Sequence, residues 1–316
     1  MLALSTAWLA GRQRPLEDDL ALLVEQGFRA FELNFVVHPL DVALFERGIA
    51  RWGIQITSLH NVCAPFSESL APDDAYGDNV AALDEEERRQ SAGHLRRTAE
   101  AALRLGARAV VVHSGSIPML KADRTYTDML RAYAKGQVDR ATVRAEMRRR
   151  MAQRQALAAP HLAQLTRTLS EVCPEFPTLR FGLESRYHYY SLPALDELTN
   201  ILEQLQLDNV GYWHDCGHAQ FQEHLGLCRH ADWLERYGER LVGVHFHGMF
   251  TEIHDHAAPA VGNMPFEMIV SYLRPATIRV LELAPSNSLT AVVAGRDYLE
   301  TLLVGQRGHA LELAAV

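Results

Sequence analysis

Eight short apolar runs recur along the chain, at 2–8, 30–34, 56–61, 109–115, 180–185, 210–215, 241–247 and 278–284. Their apolar residues are β-branched and continuous rather than alternating, the pattern of parallel strands buried on both faces. Between the runs the spacing turns helical. In PLEDDLALLVEQGF (15–28) acids fill the first turn and Gly27 supplies a stop. In 85–107, Leu95, Ala99, Ala102 and Leu103 lie on or near one face, and Gly106 ends the helix. Similar patterns at 192–205, 231–241 and 265–273 each precede another strand. Strict βα alternation with right-handed crossovers makes a parallel sheet, and eight units predict closure. The expected fold is a single-domain α/β (β/α)8 TIM barrel over 1–305, followed by a terminal tail at 306–316.

One connection departs from the rest. The segment 116–179 is far longer than an ordinary βα connection but rich in helix formers. It predicts an extended β4–α4 connection, with an extra helix or two over the barrel mouth before the regular helix. Its basic run MRRRMAQRQ (147–155) reads as a solvated helix face. A Pro/Gly/Asp-rich stretch at 64–84, after the third strand, reads as a lid or loop.

Composition narrows the class. The 316 residues are 48% hydrophobic, enough for one large core. A net charge of -8 provides no global basic field and leans away from nucleic acid as a partner. The cysteines Cys63, Cys173, Cys216 and Cys228 form neither a CxxC pair nor a dense framework, which predicts a reduced, cytoplasmic protein. The opening MLALSTAWLA lacks a basic leader and runs into polar GRQRPLEDDL, so it reads as a first strand and not a signal peptide. No run reaches the ~18–20 apolar residues that span a bilayer.

Ionisable residues mark the ends of these runs: His60, His113, Glu184, Asp215, His245 and Glu282, with His218 just beyond the sixth. Strand C-termini are where such a barrel carries its chemistry. A buried, unpaired carboxylate costs on the order of several kcal/mol, so Glu184 and Glu282 need compensation. One source is a cationic side chain, with Arg186 the candidate for Glu184; the other is a divalent ion, which serves several carboxylates and imidazoles at once. In HDCGH, Gly217 permits a sharp turn, so that Asp215 and His218 reach one centre. The loop HDHAAPAVGN (254–263) adds His254, Asp255 and His256.

This ordered set resembles the xylose-isomerase-like TIM-barrel superfamily, across essentially all eight units. That superfamily contains sugar and sugar-phosphate isomerases and epimerases, inosose dehydratase-type enzymes and apurinic-site endonucleases. Resemblance to the isomerase and epimerase branch implies one Mn, Mg or Co ion held by Glu184, Asp215, His245 and Glu282. It implies an enediolate reaction in which Glu184 and Glu282 also move the proton, with Arg186 and His188 gripping a substrate hydroxyl or phosphate. The implied partner is a small sugar or sugar phosphate, and relatives are commonly dimers or tetramers. Resemblance to the endonuclease branch implies instead a polynuclear zinc site and phosphodiester cleavage, drawing in His60, His113, His218, His254 and His256. A dehydratase or lyase on the same scaffold is the third reading.

Overall fold

The structure, a computed structural model, describes residues 1–67 and 79–313, with side chains described through 305. Eight parallel strands close in chain order, and the last pairs with the first. They are β1 (Ala3–Ser5), β2 (Ala30–Leu33), β3 (Gln55–His60), β4 (Ala109–Val112), β5 (Arg180–Glu184), β6 (Val210–Asp215), β7 (Leu241–Phe246) and β8 (Ile278–Leu281). The expected (β/α)8 barrel is the observed one. Its strands end slightly before several of the apolar runs do, leaving His113 and Glu282 on the first residues beyond β4 and β8.

The helices between the strands are α1 (Leu16–Glu25), α2 (Val42–Trp52), α3 (Glu85–Arg104), α4 (Pro118–Lys121), α5 (Arg124–Ala134), α6 (Arg140–Val172), α7 (Leu195–Leu205), α8 (Cys216–Leu225), α9 (His230–Tyr237), α10 (Phe266–Ser271) and α11 (Leu289–Leu313). The long connection thus holds α4 and α5 ahead of a 33-residue α6, and α11 continues past residue 305. The stretch expected to form a lid lies partly outside the described residues, which resume at Asn79. Among the described residues no helix is long and apolar enough to cross a membrane, and all four cysteines are free.

The basic run on α6 is not simply solvated. Arg150 and Arg154 are buried, the first paired with Asp123 and Glu146 and the second with Glu197. The Arg150 head lies over Tyr126 and Tyr189 of the neighbouring segments, and Arg154 clamps α6 to α7 through Glu197.

Two apolar layers support the site. The larger lies between strands and helices. The smaller fills the barrel interior with Ala3, Ala30, Ala109, Val111, Val242, Ile278 and Val280 around Trp213. Small neighbours are obligatory here. A Cβ at Gly182 or Gly243 would come within 2.8 or 2.4 Å of the Trp213 ring. Two register shifts, between Phe31 and Glu32 on β2 and between Tyr212 and Trp213 on β6, lie just before acidic residues of the site. Such irregularities re-aim side chains near functional centres.

Candidate metal centre

His245, at the end of β7 and fully buried, is the hub. Its Nε2 lies 2.9 Å from Glu32 Oε1. A ring proton donated there leaves Nδ1 facing three more carboxylates: Glu184 Oε1 at 2.9 Å, Glu282 Oε2 at 3.0 Å and Asp215 Oδ2 at 3.5 Å. Burial would keep His245 neutral, but Glu282, Glu32, Asp215 and Glu184 outweigh it and push its pKa well above the ordinary value. An imidazole lone pair aimed at three carboxylates is repulsive unless a proton or cation lies between them. Asp215 Oδ2 is buried without a hydrogen-bond partner among the described residues. Ligand atoms of Glu184, Asp215, His245 and Glu282 all lie within 4.8 Å of one another. Oxygen and imidazole donors in this number, with a spare buried carboxylate oxygen, fit a divalent ion.

Each donor is oriented by a neighbour. Glu32 also accepts from Ser58 Oγ at 2.8 Å, and burial raises its pKa despite the adjacent imidazole. Asn34 Nδ2 donates to Glu282 Oε1 at 3.1 Å. Burial would push Glu282 up, but His245 and His256 overcome it and hold the carboxyl at about 2. Arg186 Nη1 donates to Glu184 Oε2 at 2.7 Å and lies 2.7 Å from His113 Nε2. Burial again opposes ionisation of Glu184, and Arg186 and His113 hold its pKa well below the carboxylate range. Of the two compensations considered from the sequence, the arginine is present on one oxygen of Glu184, and the other oxygen joins a donor set that could hold the ion.

A second group adjoins the first. His218, Asp255 and His256 also bring ligand atoms within 4.8 Å of one another, and so do Asp215, His247 and His256. The backbone sets the tautomers. His218 Nδ1 donates to Ser185 O at 2.8 Å, leaving Nε2 toward Asp255 Oδ2 at 3.6 Å. Burial lowers the His218 pKa to about 4, so this lone pair is available near neutrality. The His256 amide donates to His247 Nδ1 at 2.9 Å, so His247 carries its proton on Nε2 and gives it to Asp215 Oδ1 at 2.9 Å. His256 itself adopts φ of +59°, a left-handed conformation costly for a residue with a side chain. Glu184 is also approached by His60, whose Nε2 lies 4.0 Å from Oε1; burial and His113 lower the His60 pKa to about 3.

A cavity of about 330 Å³ opens onto these residues, lined among others by Asn34, His113, Arg186, Tyr187, His218 and Glu282. Not every expected residue faces it. His188 turns away, its Nδ1 3.0 Å from Tyr126 OH, and lines a smaller separate pocket. His254 is exposed at the tip of its loop, and the neighbouring Asp255 takes the place expected for it. The cause is the turn at 251–254, whose backbone bonds project residue 254 outward. Trp8 and Trp213 are wholly buried and do not line the cavity. Glu32, a pocket-lining candidate by sequence, and His247 are the principal members given no metal or catalytic role from the sequence. Glu32 carries the same signal as Glu184 and Glu282, an acid inside an apolar strand.

The fold agrees with comparisons to known proteins. No curated protein matches the chain in sequence. Among solved structures, a D-tagatose 3-epimerase-like protein superposes with a TM-score of 0.67 at 18% identity, covering 98% of this chain and 99% of that one. An L-ribulose 3-epimerase gives 0.66 at 15% identity, covering 100% and 98%. An IolI protein with a bound zinc atom gives 0.61 at 13%, covering 96% and 97%. These likenesses speak to fold. The model of the family described as xylose isomerase-like TIM barrel matches residues 20–301, and the chain belongs to that family.

Proposed function

We propose that the chain is a divalent-metal-dependent isomerase or epimerase acting on a sugar or sugar phosphate. The observation that carries this reading is the convergence of Glu184, Asp215 and Glu282 on Nδ1 of His245, at the floor of a sugar-sized cavity. Glu184, Asp215, His245 and Glu282 would hold the ion. When bound, it supplies Lewis-acid stabilisation of charge developing on substrate oxygens. Glu184 and Glu282 reach the centre from β5 and β8 and are the candidates to take and return a carbon-bound proton. Arg186, with only part of its guanidinium engaged by Glu184, is placed to grip a hydroxyl or phosphate oxygen. The epimerases among the structural neighbours support this chemistry.

The second group, His218, Asp255 and His256, favours one alternative: a polynuclear zinc site suited to phosphodiester cleavage. One experiment separates the two. Purified protein loaded with Mn²⁺ is incubated in deuterated water with a panel of ketoses and ketose phosphates, and separately with abasic-site DNA. Deuterium entering a sugar, and lost in Glu184→Gln and Glu282→Gln, is expected. Nicking of the DNA without any exchange, together with two or three zinc ions per chain, would overturn the isomerase reading.

A further inference from the structure

The loop after β1 forms a second recess beside the candidate site. A cavity of about 390 Å³ lies between it and the loop after β2, with Leu9, Leu16 and Val37 among its apolar walls. Ala10 and Val36 line both this cavity and the one that opens onto His113, Arg186 and Glu282, so the two recesses share a wall. Among the described residues, the charged lining of the second recess is Arg12, Arg14 and Asp19.

Backbone and packing fix Arg12. Gly11 takes φ of +73°, a left-handed turn that glycine permits, and the Arg12 amide closes on Leu9 O at 3.2 Å. The guanidinium carbon of Arg12 then stands 3.7 Å from the centre of the Trp8 ring. Trp8 is wholly buried, and its Nε1 donates to Asn287 O at 2.9 Å, so the platform under Arg12 is rigid. Arg12 Nη1 donates to Asp19 Oδ1 at 3.4 Å, and Arg14 Nε lies 3.8 Å from the same oxygen.

The charge balance of this group is uneven. Two guanidiniums meet one buried carboxylate, which leaves an excess of one positive charge. Glu17 does not offset it, being drawn to Arg47 and Arg51 of α2 at 3.9 and 3.6 Å. A guanidinium carries five N–H donors in a fixed fork, and Asp19 engages one of those on Arg12. A held fork with a second cation beside it suits a multivalent oxyanion better than a neutral hydroxyl. Phosphate oxygens accept from both arginines at once, and such charge-assisted bonds are stronger than neutral ones.

We infer that this recess takes the phosphate of the substrate, with Arg12 and Arg14 as its binding residues, so that the substrate is a sugar phosphate and not a free sugar. The sugar then occupies the neighbouring cavity, where Arg186 is left to a hydroxyl. The substrate part of this inference rests on the isomerase reading above; the anion site does not.

The test begins with the full chain as purified, titrated with inorganic phosphate in a calorimeter at pH 7 and low salt. One equivalent should bind, and Arg12→Met and Arg14→Met should each weaken it about tenfold, as loss of a charge-assisted donor does. Arg14→Met leaves the Arg12–Asp19 pair and the Trp8 contact in place, so it still decides the matter should Arg12→Met fail to fold. The Mn²⁺-loaded protein is then given a ketose and its terminal phosphate ester in deuterated water. Exchange should favour the ester in kcat/KM, and that preference should fall about tenfold in each variant. Phosphate affinity unchanged in both variants, or no binding by the wild type, overturns the anion site. Binding at these arginines without preference for the ester overturns the substrate assignment. If no sugar exchanges at all, the isomerase reading fails on its own, while the phosphate titration still decides the recess.

Discussion

The donors around His245 and those around His218 differ in what carries them. The inner set comes from β2, β5, β6, β7 and the first residue beyond β8, rigid elements whose spacing is fixed by the ladder hydrogen bonds. Most of the outer set comes from helix α8 and a hairpin, and includes a residue in a left-handed conformation. The inner set concentrates four carboxylates on one imidazole; the outer set balances Asp255 against two imidazoles. A centre built on strand ends is preorganised to hold an ion, whereas one built on a hairpin depends on what anchors the hairpin. The inner group is therefore suited to a permanent cation, and the outer one to a second ion or to substrate.

The comparison can be broken by substitution, starting with the inner set. Glu184→Gln removes the carboxylate shared by His245, His60 and His113. It should abolish stoichiometric Mn²⁺ binding, measured by metal analysis after gel filtration, and reduce solvent-proton exchange by roughly 10³-fold or more. Retention of a full equivalent of metal would deny the inner set its role. Glu32→Gln leaves the four proposed ligands intact but frees His245 Nε2. Metal affinity should fall roughly 10- to 100-fold in chelator competition, the range for lost support of a ligating imidazole.

A pH dependence follows from the raised pKa of His245. Because the group still holds its proton above the ordinary histidine range, metal must displace it. Affinity should therefore rise with pH through neutrality, with about one proton released per ion at pH 7. Calorimetry in buffers of different ionisation enthalpy reads this directly, and zero release would contradict the charge balance described. Asp255→Asn should leave the inner equivalent bound and weaken only a second equivalent, or KM, by roughly tenfold. Loss of the first equivalent would merge the two groups into one. His254→Ala should change neither metal content nor rate measurably, since its side chain stands outside both groups.

Much of this division could be read from the chain. Continuous apolar runs ending in Glu184, Asp215 and His245 are buried parallel strands with ionisable tips, and the period of the pattern alone gives the barrel. The inner donors follow because a strand dictates where its last side chain points. The hairpin obeys no such rule. His254, Asp255 and His256 are chemically plausible in any order, and only the backbone bonds between Thr251 and His254 decide that Asp255 turns inward. The long-range pairing of Glu32 with His245, 213 positions apart, depends on barrel closure and has no local signature. Arg150 and Arg154 look like solvent-facing charge in sequence because their partners, Asp123 and Glu197, lie 27 and 43 residues away.

Trp213 adds an optical consequence. Its ring is centred 5.1 Å from that of His245 and packed between Gly182 and Gly243, out of reach of water. Indole emission in so dry a setting lies toward the blue, and contact with a protonated imidazole quenches it. Were a metal ion to take the place of the proton on His245, the immediate electronic environment of one tryptophan among four would change. The floor of the site would then carry its own optical reporter, one whose emission follows the state of the hub above it.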